Sequence, residues 1–171
     1  MTLGVVLLAP LVLAISPAFA QDSNYDEYYD GDVFVAVTYE YYSVTGSSLQ
    51  EVQDAMGANG PQGFWAYTTW NVSWTGDCTI RVDVTMTLPA LDEYADLYDE
   101  EFAEWDRMIE ALEEHEFGHV GSGIGFAHDI ESISCDVPDV AAVQAPWLQN
   151  DIDFDVETEH GINQGATLNL Q

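Results

Sequence analysis

The spacing of the apolar residues changes once along this chain, close to Pro89, and this change limits the folds that the chain can adopt. Before Pro89, residues 64–74 and 79–88 alternate apolar and polar side chains, which is the pattern of strands with one face on a core. From about residue 94 to 133, with a break near Asp99, apolar residues recur every three or four positions, which is the pattern of a helix. Strands followed by a long helix predict an α+β fold.

Further elements are predicted around these strands. Residues 33–44 are rich in β-branched and aromatic side chains and predict another strand. The segment that follows predicts a short helix, which is capped by Ser47 or Ser48 and ended by a Gly-Pro dipeptide. Gly76-Asp77 lies between the two alternating segments and predicts a two-residue hairpin turn, so these two strands should pair antiparallel.

The helical segment contains the sequence HEFGH at residues 115–119, with two histidines four positions apart. Four helical positions turn by about 40°, so His115 and His119 share one face and continue the apolar stripe. In this motif two neutral imidazoles bind Zn²⁺, and the glutamate, here Glu116, accepts a proton from a water that zinc activates. The motif predicts a zincin-like fold, in which an antiparallel sheet packs on a long HExxH helix, and a zinc peptidase activity. A chance match in an acidic helix is the alternative.

A catalytic zinc site needs a third protein ligand and one open position for water. The metzincin pattern requires a histidine six residues past His119, where this chain has Gly125. On a continuous helix His128 is rotated about 180° from His119, so it is a ligand only if the glycines at 121, 123 and 125 break the helix. Glu131 is the candidate for a site with a glutamate ligand, although its rotation of about 120° is also unfavourable. His160 lies in a glycine-containing segment that we predict to be a loop, and nothing local explains a histidine there. We favour His160 as the third ligand.

The charge of the chain excludes several classes of partner. There is no lysine, and the two arginines, Arg81 and Arg107, stand against 31 acidic residues, which gives a formal net charge of −29. Such a charge repels nucleic acid phosphates and anionic membranes, so we expect no nucleic acid partner. A hydrophobic content of 47% nevertheless predicts a folded chain. We interpret the acidity as a halophilic surface, stabilised when salt screens the repulsion; an ordinary acidic secreted protein is the alternative.

The N-terminus indicates the compartment. Residues 1–20 predict a signal peptide, because a short apolar stretch ends in the small-residue pattern Ala18-Phe19-Ala20. The stretch lacks the usual Lys or Arg before it, so an uncleaved N-terminal anchor is the alternative. We predict a secreted or periplasmic protein without stable membrane insertion after cleavage. Residues 21–32 predict a flexible acidic lead-in, and residues 33–171 predict one domain.

The chain contains two cysteines, Cys78 and Cys135. An even pair in an exported chain predicts one disulfide bond, because that compartment lets a disulfide form and persist. Two cysteines far apart, with no CxxC spacing, are a poor zinc-ligand set. The bridge would tie the predicted sheet to the end of the helix that carries both histidines.

Five motifs occur in order over about residues 38–168: YYSVTGSSLQEV, a Gly-Pro before GFWAYTTWNVSW, the Cys78 strand ending in TLP, WDRMIEALEEHEFGHV, and DVETEHGINQGA. Together they resemble a bacterial family of secreted, predicted zinc-dependent proteases, long described as a domain of unknown function. The resemblance implies a zinc-protease-like activity. It implies His115 and His119 as ligands, Glu116 as the base and His160 as the third ligand.

The sequence therefore predicts an exported zinc metallopeptidase that acts on a peptide or protein substrate, with its oligomeric state left open. A non-catalytic, zinc-containing module that binds a peptide or protein partner is the alternative. Both predict zinc, but only the peptidase requires Glu116. A third possibility, an acidic protein that binds cations without selectivity, predicts no stoichiometric zinc.

Overall fold

A computed structural model describes residues 24–170, so the predicted signal peptide lies outside the described part of the chain. The elements are β1 (Tyr25–Asp30), β2 (Val33–Val44), α1 (Leu49–Asn59), β3 (Tyr67–Trp74), β4 (Ile80–Leu91), α2 (Asp99–Ser132) and α3 (Val140–Thr158). Short 3₁₀ turns lie at Pro61–Gly63 and Ile162–Gln164. The α+β class is confirmed. None of the helices described has the length and apolar character needed to cross a bilayer.

The four strands form one mixed sheet in the order β1-β2-β4-β3. β3 pairs antiparallel with β4, as predicted, and β1 pairs antiparallel with β2. The central strands β2 and β4 run parallel, so the prediction of a wholly antiparallel sheet is wrong. The reason is the connection between them: α1 and β3 separate β2 from β4 in the chain, and a parallel pair requires such a long crossover.

Two details of the β3–β4 hairpin differ from the prediction. The connection is a five-residue loop, 75–79, in which the backbone N–H of Thr75 donates to the carbonyl of Thr79 at 3.1 Å and the Thr79 N–H donates to the Thr75 hydroxyl at 3.1 Å. β4 also continues through Pro89. Its pairing with β3 has already ended at Thr87, so the missing N–H of the proline leaves no β3 carbonyl without a partner.

The predicted lead-in, residues 21–32, is not wholly flexible, because residues 25–30 form the edge strand β1. Every residue of β1 is exposed, so apolar periodicity carried no sign of a strand. Backbone pairing with β2 holds it in place, and the Nε2 of His128 lies 3.0 Å from the Asp30 carboxylate at its end. Backbone hydrogen bonds to β2 and the contact between Asp30 and His128 therefore hold this strand, and burial of its side chains does not.

The core lies where α2 crosses the sheet. Gly123 of α2 sits so close to β3 and β4 that a Cβ atom there would lie 3.0 Å from Trp70 and 3.2 Å from Val82. The ring centroids of Phe126 and Trp70 are 5.9 Å apart. α1 was predicted correctly: Ser48 caps it and Met56 on its apolar face is fully buried. These contacts fix α2 against the sheet along its second half.

The disulfide between Cys78 and Cys135 is confirmed. Cys78 lies in the β3–β4 loop, and Cys135 follows the C-terminal end of α2. The bridge therefore joins the sheet to the far end of the helix that carries the histidine motif.

We expect loss of the disulfide to destabilise the domain. The two cysteines are 57 residues apart, and a loop of that length corresponds to about 4 kcal/mol in the chain-entropy model. Urea unfolding of a double variant with Cys78→Ala and Cys135→Ala should show a free energy of unfolding lower by about that amount, at a salt concentration matched to the native protein. An unchanged free energy of unfolding would show that the bridge contributes nothing to the stability of the domain.

Candidate metal centre

Helix α2 is continuous from Asp99 to Ser132, and the motif residues are among its buried side chains. His115, Glu116 and His119 all lie on the inner side of this helix, as the helical spacing predicted. The glycines that follow the motif do not break the helix. Gly123 and Gly125, together with Gly118 inside the motif, instead let neighbouring elements approach the helix closely.

Helix α3 packs on α2 by seating aromatic rings over two of these glycines. A Cβ atom on Gly118 would lie 2.3 Å from the Phe154 ring, and one on Gly125 would lie 2.1 Å from the Trp147 ring. Both distances are far below van der Waals contact, so only glycine fits at either position. The two glycines are seven residues apart on α2, and the two rings are seven residues apart on α3, which is about two helical turns in each case. The earlier glycine contacts the later ring, so the two helices run antiparallel. This close approach places the acidic face of α3, formed by Asp151 and Asp155, opposite the histidines.

Three side chains converge between the two helices. The Nε2 of His115 lies 3.2 Å from Oδ1 of Asp155, and the Nε2 of His119 lies 3.1 Å from the same oxygen. One ligand atom from each of these residues lies within 4.8 Å of the others, so the group could hold a metal ion. The sequence did not point to Asp155, because its segment was predicted to be a loop.

The other nitrogen of each imidazole also has a partner. The Nδ1 of His115 lies 2.9 Å from Oε1 of Gln164, and the Nδ1 of His119 lies 3.1 Å from Oδ1 of Asp151. A carbonyl or carboxylate oxygen in this position fixes the tautomer and orients the ring, as at many metal-binding histidines. Asp151 and Gln164 therefore orient the two rings that face Asp155.

Asp151 connects the centre to the sheet. Its Oδ2 accepts a hydrogen bond from the indole N–H of Trp70 on β3 at 2.9 Å. Burial acts to raise the pKa of Asp151, but hydrogen bonds from His119, Ser122 and Trp70 outweigh it and hold the pKa below its ordinary value. Asp151 is thus a stable carboxylate at neutral pH and a permanent acceptor for the imidazole N–H.

The arrangement around His119 favours a cation. A neutral imidazole carries one N–H, but both nitrogens of His119 face carboxylates, Asp151 on one side and Asp155 on the other. Burial acts to lower the pKa of His119, whereas Asp151, Asp155 and Glu116 raise it, and the net shift is upward. Either a second proton or a metal ion at Nε2 removes the repulsion between the nitrogen lone pair and the Asp155 oxygen. The donor set thus fits a metal ion.

Glu116 is 4% exposed, and its Oε2 makes no hydrogen bond of regular geometry to any described residue. Burial raises the pKa of Glu116 above its ordinary value, and Thr68, His119 and His115 offset this only in part. A buried carboxylate oxygen without a protein partner is costly unless a water or ligand occupies the adjacent space. Glu116 lines a cavity that provides such space.

The cavity beside the three converging residues has a volume of about 540 Å³. The histidine motif and the acidic face of α3 form one side of it. The segment that leads into β3 forms another side, through residues 63–68. The cavity is thus bordered by an edge strand on one side and by the candidate metal ligands on the other.

An arginine fastens the chain segment that carries Gln164. Arg107 on α2 binds Glu104 through two nitrogens, at 2.9 and 2.7 Å. It also donates to the carbonyl oxygens of Gly165 at 2.9 Å and Thr167 at 2.5 Å. Gln164 is the residue before Gly165, so Arg107 holds residues 164–167, the C-terminal segment whose Gln164 orients His115.

His160 lies at the mouth of the cavity, outside the converging group. Its side chain is 56% exposed, and its Nδ1 lies 3.5 Å from Oδ2 of Asp155. The structure thus brings Asp155, and not His160, to both motif histidines. A role for His160 as third ligand stays a prediction from the sequence.

His128 and Glu131 lie away from the site, as the helical rotation predicted. The Nδ1 of His128 lies 3.0 Å from Glu131, and its Nε2 lies 3.0 Å from Asp30 of β1. These two carboxylates raise the pKa of His128 above its ordinary value. His128 therefore fastens β1 to α2 and takes no part in the metal centre.

We expect Asp155→Ala to abolish tight metal binding. Loss of a direct ligand should exceed the reduction of about 10- to 100-fold that follows loss of an outer residue, and zinc affinity measured against a chromophoric chelator provides the readout. Asp153→Ala is the matched control, because Asp153 is exposed on the same helix and lies outside the cluster. If His160→Ala removes the metal and Asp155→Ala does not, the third ligand is the one predicted from the sequence.

Comparison with known proteins places the chain in a family. A family model described as "Bacterial protein of unknown function (DUF922)" matches residues 39–161, a range that includes both motif histidines, Glu116 and Asp155. No curated protein and no solved structure shows a significant match to the chain. Since the matched range covers well over half of the sequence, the chain belongs to this bacterial family of unknown function.

Proposed function

We propose that the protein is an exported zinc peptidase that cleaves peptide bonds with the help of a water molecule. One observation carries the proposal: two imidazole nitrogens and one carboxylate oxygen converge beside a buried glutamate that lines a cavity. The disulfide supports a location outside the cytoplasm, where such bonds persist, in line with the predicted signal peptide.

Zinc is the metal that suits this donor set best. Two imidazoles and one carboxylate with an open position are a combination found in catalytic zinc sites. Tetrahedral ligands at about 2.0–2.1 Å from zinc lie about 3.3 Å from one another. The distances from Asp155 Oδ1 to the two Nε2 atoms are 3.2 and 3.1 Å, close to that value. His115, His119 and Asp155 would hold the ion, and the three ligand atoms already lie within 4.8 Å of one another.

Zinc bound there would supply a Lewis acid, which polarises a peptide carbonyl and makes a water molecule more acidic. Glu116 is the proposed general base and acid: its free carboxylate oxygen takes the proton of the water and returns it to the leaving amine nitrogen. Burial raises the pKa of Glu116, and this direction suits both steps, because a group that accepts a proton and later returns it needs a pKa above that of an ordinary carboxylic acid. Tyr67 and His160 also line the cavity and are candidates for a second polarising group.

The position of β3 supports a peptide as the substrate. β3 is an edge strand of the sheet, and its first two residues, Tyr67 and Thr68, line the cavity. An extended peptide can bind such an edge by adding a strand to the sheet. A peptide bound along β3 would lie beside the cavity that Glu116 also lines.

We expect Glu116→Gln to retain zinc and the fold but to lose peptide hydrolysis. The amide cannot accept the proton, so the rate should fall by at least about a hundredfold, the scale for loss of a general base. Hydrolysis of a mixed peptide library with one equivalent of zinc gives the rate, and metal analysis gives the occupancy. Glu114→Gln is the matched control, since Glu114 is exposed on the same helix.

A different outcome would favour the alternative function. If the native protein binds zinc and peptides but cleaves none, the chain is a zinc-containing binding module. Hydrolysis that persists in Glu116→Gln would contradict the proposed role of this residue.

A further inference from the structure

The cavity beside the candidate metal centre has large apolar side chains around its mouth. Phe64, Ile152 and Ile162 line it and are at the same time partly exposed to solvent. Trp65 and Leu112 line it as well. Exposed apolar groups gathered around one cavity mark a site that gains from being covered by an apolar ligand.

The walls of the cavity are held in place by contacts within the protein. The hydroxyl of Tyr42 donates to the carbonyl of Trp65 at 2.7 Å and so fixes the segment before β3. The ring of Phe64 stacks on the ring of Tyr67 with 6.3 Å between the ring centroids, and its centroid lies 5.5 Å from that of the His160 ring. Because these contacts already order the walls, a ligand would bind a largely preformed site.

No arginine lines the cavity, and the chain contains no lysine. The chain's two arginines, Arg81 and Arg107, are engaged by Asp83 and Glu104, and neither lines the cavity. The carboxylates of Glu116, Asp151 and Asp155 do line it. A free C-terminal carboxylate or an acidic side chain of a peptide would therefore find carboxylates where it needs a cation.

We propose that this cavity binds a large apolar side chain from an internal segment of a polypeptide, with uncharged or basic residues on either side of it. This proposal rests on the proposed peptidase function and names its substrate class. The apolar mouth selects the side chain, and the acidic interior disfavours a free C-terminal carboxylate and acidic neighbours. The proposed activity is that of an endopeptidase rather than a carboxypeptidase, since no arginine or lysine lines the cavity to bind a free C-terminal carboxylate.

The experiment measures binding and cleavage separately. Four peptides with both ends capped are compared: a central Phe with neutral flanks, a central Ser with neutral flanks, and a central Phe flanked by Lys or by Glu. Their dissociation constants are measured on the zinc-loaded Glu116→Gln protein by calorimetry, and their hydrolysis is measured on the native protein. A fifth peptide, with a free C-terminal carboxylate next to the Phe, tests the preference for internal segments.

We expect the Phe peptide to bind at least about ten times more tightly than the Ser peptide, the effect of burying one large apolar side chain. The Lys-flanked peptide should bind more tightly than the Glu-flanked one, and the free carboxylate should weaken binding. In 1 M salt, where the Debye length is about 3 Å, the preference for Lys should shrink while the preference for Phe persists. This salt response separates the apolar cavity from general attraction to an acidic protein.

A pair of variants links the preference to the cavity. Ile152 is 56% exposed and lines the cavity, whereas Leu148, one turn earlier on α3, is 48% exposed and does not line it. Ile152→Ser should reduce the preference for Phe over Ser, and Leu148→Ser should leave it unchanged. Equal binding of the Phe and Ser peptides, or equal effects of the two variants, would overturn the proposal. Binding with the expected preferences but no cleavage by the native protein would refute the peptidase function and leave the binding preference standing.

Discussion

The candidate site depends on the close packing of α3 against α2. The rings of Phe154 and Trp147 lie where side chains would stand if Gly118 and Gly125 were any other residue. α3 has no fully buried residue, so it is attached through these two ring contacts and through polar contacts such as those of Asp151 with Trp70 and Asn150 with Ser122. The packing sets the distance at which Asp155 meets the imidazoles of α2. A metal held by both helices would in turn stabilise their docking, so metal binding and the packing of α3 should be coupled.

The candidate site is acidic, like the chain as a whole. Three carboxylates, those of Glu116, Asp151 and Asp155, surround two imidazoles, and no arginine or lysine lines the cavity to offset them. A divalent cation is the simplest group that balances such a set. Arg107, one of the chain's two arginines, instead binds the main-chain carbonyls of the C-terminal segment 164–167 and forms an ion pair with Glu104. The protein thus uses a scarce cationic side chain for positioning and leaves the site itself acidic.

The elements that bury an apolar face could be predicted from the sequence. The elements without a buried apolar face could not. α2 and β4 follow the apolar pattern closely, because periodicity reports burial. β1 is wholly exposed, and α3 has no fully buried residue and contains Pro146, so neither gave a periodic signal. The motif identified His115 and His119 through local spacing. Asp155 is brought to them by docking of a distant helix, and the one local signal that could have indicated it is its four-residue spacing from Asp151, which would put both carboxylates on one helical face.

The most direct test of the account is the ligand shell of the bound metal, measured by X-ray absorption at the zinc edge. The protein would carry one equivalent of zinc in high salt, so that weak binding to the acidic surface is suppressed. The account predicts four light-atom ligands at about 2.0 Å, of which two are imidazoles, with Asp155 and solvent supplying oxygen. Three imidazoles would place His160 in the shell in place of Asp155. A shell of oxygen ligands with no imidazole scattering would contradict the proposed centre altogether.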